Sequence, residues 1–75
     1  MKITVETGRW AARYLSEEIT SIELPEQSTA ADVIETLKLP PEETGIISIK
    51  GNAIPREHIL SCGDVIKIYP TIIGG

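Results

Sequence analysis

Only one segment of this chain can form a helix of any length, and its place between two groups of alternating segments narrows the folds available. Thr29-Ala30-Ala31-Asp32 has the spacing of a capping box, with Asp32 as a shorter stand-in for the usual Glu. Asp32 also puts a negative charge in the first turn, where the helix dipole favours it. Ala30, Val33, Ile34 and Leu37 then recur at i, i+3, i+4 and i+7, a stripe able to lie on a sheet. Pro40-Pro41 is expected to end the helix, because the residue before a proline is pushed out of the helical region.

On either side the pattern changes to strands. Lys2 to Glu6 alternates apolar and polar residues, with Gly8 after it. Ile19 to Leu24 alternates again, with Ile22 and Leu24 on one face and Glu23 on the other, and Pro25 closes it. Ile46 to Lys50 reads as a third strand with Ile47 and Ile49 on one face, followed by a turn at Gly51-Asn52. Ile54 to Leu60 is irregular, and a short strand can form there. Val65 to Tyr69 is the last strand, introduced by a turn at Gly63-Asp64, with Ile66 and Ile68 facing one way and Val65, Lys67 and Tyr69 the other. Between the first two strands, Trp10, Ala11, Tyr14 and Leu15 have helix-like spacing but no cap, which suggests a loop with one helical turn. The order is β, β, α, β, a short β, β. That is an α+β chain of the β-grasp type: a mixed sheet of four to five strands with one main helix across one face. The other face is left uncovered.

At 75 residues the chain is one domain, since a second core would need roughly 50 more. Cys62 is the single cysteine and His58 the single histidine, so neither an internal disulfide nor a Cys/His zinc site can be built. No metal is expected, and the fold rests on apolar packing. Seven basic residues against eleven acidic ones give a net charge of −4 without any basic cluster, which argues against nucleic acid as a partner. Neither a signal peptide nor an apolar run of membrane-spanning length is visible, and a cytoplasmic location with no membrane contact is the expectation.

After Tyr69 the chain reads Pro70-Thr71-Ile72-Ile73-Gly74-Gly75. Two terminal glycines arise by chance in only about 0.5% of chains, so the ending is informative. Glycine adds nothing to packing, but it lets a terminus pass through a narrow channel. We expect a β-grasp domain over 1–70 and a flexible tail over 71–75. A terminal carboxyl ordinarily titrates near about 3.3 to 3.7, so that of Gly75 is ionised at neutral pH and is a poor electrophile. It needs activation, and the sequence has neither a phosphate loop nor an arginine cluster with which to do it. The activating enzyme must be another chain.

Ile22-Glu23-Leu24-Pro25, the run from Ser28 to Leu37, Leu60-Ser61-Cys62-Gly63-Asp64 leading into the last strand, and Pro70 to Gly74-Gly75 together resemble the ubiquitin-like sulfur carriers of the MoaD/ThiS family over nearly the full length. The resemblance implies a non-enzymatic carrier, a monomer when free, with no bound cofactor. Its Gly75 would be adenylated with ATP by a partner similar to ubiquitin-activating enzymes and then converted to a thiocarboxylate. The sulfur would pass to a synthase subunit in molybdopterin or thiamine biosynthesis. Gly8 to Arg13, leading through Glu17-Glu18, looks like the molybdopterin-synthase small subunit. Gly51 to Arg56 is similar to the thiamine carrier, and Thr71 replaces a second proline common in the molybdopterin type. Recognition is expected on the uncovered face, with Val65 and Tyr69 as contacts and Pro70, Ile72 and Ile73 flanking the thread. Two other classes stay open: a protein modifier joined to lysines through Gly75, and a β-grasp binding subunit in which the diglycine is incidental.

Other residues have plainer explanations. Cys62 has no second cysteine to resolve it and no evident base. His58 beside Glu57 reads as surface. Glu17-Glu18 and Glu42-Glu43 read as solvated loop charges. Arg9, Trp10 and Arg13 could form a small recognition surface, but Trp10 and Tyr14 fit better as caps on the core of a small protein.

Overall fold

The computed structural model describes residues 1–71. Strand β1 (Lys2–Glu6) pairs antiparallel with β2 (Ile19–Glu23) to form the first hairpin. Helix α1 (Ala30–Thr36) follows, then β3 (Thr44–Ile49), β4 (Asn52–Ile54) and β5 (Val65–Pro70). The five strands form one sheet in the order β2-β1-β5-β3-β4, in which only β1 and β5 run parallel. A sheet whose first and last strands lie side by side at its centre, with one helix over it, has the expected β-grasp arrangement.

Alternation decides which residues are buried. Ile3, Val5, Ile47, Ile66 and Ile68 form one core cluster with Ala30, Val33 and Ile34 of α1, and Ala11, Leu24, Leu39 and Leu60 close its margins. Trp10 and Tyr14 pack against that cluster without being fully buried, as core caps should. Among the described residues, no helix is long and apolar enough to cross a membrane.

The start of α1 follows the predicted chemistry. The Thr29 N–H donates to Asp32 Oδ2 at 2.8 Å and the Asp32 N–H donates to Thr29 Oγ1 at 3.4 Å, a complete capping box. The irregular 55–60 segment supplies two further acceptors: the Ala30 N–H bonds to the His58 carbonyl and the Ala31 N–H to that of Arg56. These pairings use helix N–H groups that have no partner within the helix. Thr29→Ala is expected to lower stability by about 1 kcal/mol, read as a shift of the urea midpoint at constant slope.

Several boundaries depart from the sequence reading. Strand β2 ends one residue early, at Glu23, and the short strand β4 takes 52–54 as the return arm of a tight hairpin rather than lying within 54–60. Helix α1 ends at Thr36, before the prolines act. Lys38 adopts φ 58, and the N–H groups of Lys38 and Leu39 return to the carbonyls of Glu35 and Ile34. This is a Schellman stop, and it seats buried Leu39 in the same apolar cluster as Ile34. Pro41 instead opens a short 3-10 turn, Pro41–Glu43. The β3–β4 turn sits at Lys50-Gly51 rather than at Gly51-Asn52. Ile49 pairs with Asn52, leaving a two-residue loop in which Lys50 (φ 52) and Gly51 (φ 80) are both left-handed, the geometry that matches strand twist. Finally, β3 begins at Thr44, two residues early. A register shift between Thr44 and Ile47 lets Thr44 pair with Pro70, which also carries β5 one residue past Tyr69.

Candidate functional site

Gly74 and Gly75, proposed as the reacting end, and Ile72 and Ile73, proposed as flanking contacts, lie outside the described residues. The structure does describe the surface from which that segment departs. Alternation along β5 exposes Val65 and Tyr69, at 43% and 48%, on the face opposite the helix. Pro70 is also exposed, at the end of the strand. The face holds a further apolar residue that the sequence reading did not single out: Ile46 is 61% exposed. Ile46 lies in the bulged stretch of β3 between the Thr44–Pro70 and Ile47–Ile68 pairs, the stretch that runs past Tyr69. Its signal was present in the strand pattern, since a residue next to inward-facing Ile47 must point outward.

The two halves of this face differ in character. On the β1–β2 side Lys2 pairs with Glu23 and Glu6 lies across from Lys67 of β5, with exposed Ile19 beside Glu6 on β2. On the β5–β3 side Val65, Tyr69 and Ile46 form an apolar strip interrupted by Lys67. Tyr69 and Ile46 lie at the end of β5 from which the chain departs, and Val65 lies at its start. An exposed aromatic and an exposed isoleucine at that end are suited to an interaction surface.

The turn into β5 is held firmly. Gly63 has φ 89, the Ser61 N–H donates to Asp64 Oδ2 at 2.8 Å, and the Gly63 N–H donates to the Lys2 carbonyl at 2.8 Å. The Leu-x-x-Gly-Asp segment therefore ties the start of β5 to β1. Cys62 is exposed in this turn, and His58 and Glu57 are exposed elsewhere.

Beneath Pro70 and Thr71 lies a groove of about 460 Å³ lined by Trp10, Arg13, Glu42 and Glu43. The Tyr14 hydroxyl donates to Glu43 Oε2 at 2.7 Å, and this bond is the main reason its pKa is raised above the ordinary value. The raised value means that the contact favours the folded state while Tyr14 is protonated and fades as pH rises through its titration. Among the described residues no group of three or more His, Cys, Asp or Glu side chains could hold a metal ion.

The helix, the strand order and the central parallel pair define a ubiquitin-like β-grasp protein. The chain belongs to the Mut7-C ubiquitin family, whose model matches residues 9–73. No curated protein sequence matches it. Its structure is similar to that of SAMP1 from Haloferax volcanii, with a TM-score of 0.79 at 15% identity over 100% of both chains. It is also similar to a Pyrococcus furiosus protein described as molybdopterin converting factor subunit 1, with a TM-score of 0.77 at 23% identity, covering 95% of this chain and 98% of that one. The ubiquitin of Caldiarchaeum subterraneum aligns with a TM-score of 0.65 at 21% identity, over 100% of this chain and 98% of that one. The ubiquitin-like resemblance read from the sequence is borne out.

Proposed function

We propose that this chain is a ubiquitin-like sulfur carrier that reacts through the carboxylate of Gly75. The observation that carries the proposal is the pair of exposed apolar side chains, Ile46 and Tyr69, at the end of β5 from which a segment ending in two glycines departs. The body supplies a docking face and the chain end supplies the reacting atom. A partner adenylates Gly75: the carboxylate oxygen attacks the α-phosphorus of ATP and pyrophosphate leaves. The terminal sulfur of a donor protein's persulfide then attacks the acyl carbon and AMP leaves. A thiol cleaves the resulting acyl disulfide, which releases the thiocarboxylate and leaves a disulfide on the donor. Sulfur suits this role because its anion is polarizable and nucleophilic, the property that makes a thiolate reactive. A closed partner site keeps water away from the loaded end. The chain is a co-substrate rather than an enzyme, and holds no cofactor of its own. Its sulfur goes to a synthase subunit of cofactor biosynthesis, with molybdopterin favoured and the thiamine thiazole next.

A second reading, a modifier joined to lysines through Gly75, draws support from the full-length likeness to SAMP1, the small archaeal modifier protein 1 of Haloferax volcanii. Both readings begin with the same adenylate. Intact-mass spectrometry after incubation with the adenylating enzyme of the source organism, ATP and a sulfur source separates them. Exchange of one oxygen for sulfur at Gly75 is the expected result. Ladders on other proteins would favour the modifier, and an unchanged Gly75 would leave only a binding module.

The docking face makes its own prediction. Tyr69→Ala removes the exposed aromatic nearest the departing chain, so it should weaken partner binding about tenfold or more in calorimetric titration. The melting temperature should hold, because the side chain lies outside the core cluster.

A further inference from the structure

The last described residues of the chain are fastened to the body on both sides. Past Glu6, which pairs with Lys67, β1 no longer flanks β5, so the strand would leave with one bare edge. Trp10 covers that edge: its indole Nε1–H donates to the Ile68 carbonyl at 3.3 Å. On the other side, the Thr71 N–H donates to the Glu43 carbonyl and the Thr71 hydroxyl to the Glu42 carbonyl, each at 3.0 Å. The turn that accepts these bonds is itself held. Arg56 donates to the Pro41 and Thr44 carbonyls at 3.3 and 2.8 Å, and Tyr14 holds Glu43.

Gly45 completes the arrangement by what it lacks. A Cβ there would lie 2.7 Å from the Pro70 carbonyl oxygen and 3.1 Å from that of Tyr69. Neither atom is the end of a movable side chain. The main chain of Tyr69-Pro70 is laid directly over Gly45, and any other residue would lift it.

We propose that Gly45 and Thr71 are positioning residues that fix the origin and direction from which residues 72–75 enter a partner's site. This rests on the carrier reading above. Four residues at full extension span at most about 14 Å, so a displaced origin cannot be recovered by slack in so short a thread. Docking through Ile46, Val65 and Tyr69 supplies binding that is equal before and during reaction. Placement of the chain end supplies the part expressed in turnover.

The test is ATP–pyrophosphate exchange with the adenylating enzyme of the source organism, varying the concentration of this chain. Thr71→Val keeps the branched shape and the N–H but loses the hydroxyl bond to Glu42. Gly45→Ala displaces the Pro70 carbonyl. Each should lower kcat between about ten- and a hundredfold, the scale of a misplaced reacting group, while KM for the chain stays within about twofold. Thr71→Ser restores the hydroxyl and should restore kcat. Because Thr71 is exposed, its variants keep the test decisive even if Gly45→Ala folds poorly. Wild-type kcat in Thr71→Val would overturn the inference, and so would a loss that Thr71→Ser fails to rescue. A wild-type chain that supports no exchange would overturn the carrier reading itself, and the role of the anchor with it.

Discussion

Ile66→Ala should destabilise the chain by about 2 to 5 kcal/mol, the largest stability loss we expect from a single conservative truncation. Ile66 is 0% exposed on β5, paired to Val5 of β1 on one side and Ile49 of β3 on the other, with α1 over the same core. Removing its side chain opens a cavity where the helix and three strands meet, and these elements can relax only partly to fill it. A domain of this size buries only about 60% of the surface that its unfolded chain exposes, so a loss of that size is a large share of its margin. Urea denaturation reads the change as a lower midpoint at unchanged slope. A midpoint equal to wild type would mean that the inward face of β5 is wrongly assigned.

Gly74→Ala should have the largest effect on transfer and little on stability. One methyl group near the end leaves residues 1–71 as they are, but it adds a Cβ where a narrow channel would have to close around bare backbone. Sulfur transfer to the acceptor should fall at least about tenfold, the scale on which reacting groups feel misplacement, while the melting temperature stays at the wild-type value. Undiminished transfer would rule out a tight channel around the terminus.

Where local chemistry specifies structure, the sequence was sufficient. The bounds of β1 follow from clean alternation, and the start of α1 from Thr29 and Asp32. What escaped was decided by geometry that other residues share. Lys38 ends the helix in a left-handed conformation more often taken by glycine, so the prolines drew attention two residues too late. Lys50 likewise takes a left-handed turn position, at φ 52, that glycine and asparagine adopt more readily. The bulge that advances β3 to Thr44 exists only in relation to Pro70, and no local pattern encodes such a register. The end proposed to react was legible because Gly74-Gly75 is a local pattern. Its launching platform was not: Trp10 and Ile68 lie 58 residues apart, and the reason for Gly45 is the carbonyl of a strand folded against it.

The central claim is that the reacting group is a chain end at Gly75, and mass spectrometry of the C-terminal peptide of the protein isolated from its source cells tests it most directly. The account predicts peptides ending at Gly75, with a fraction bearing sulfur in place of one carboxylate oxygen. Peptides that all continue past Gly75 through an ordinary peptide bond to further sequence would contradict it.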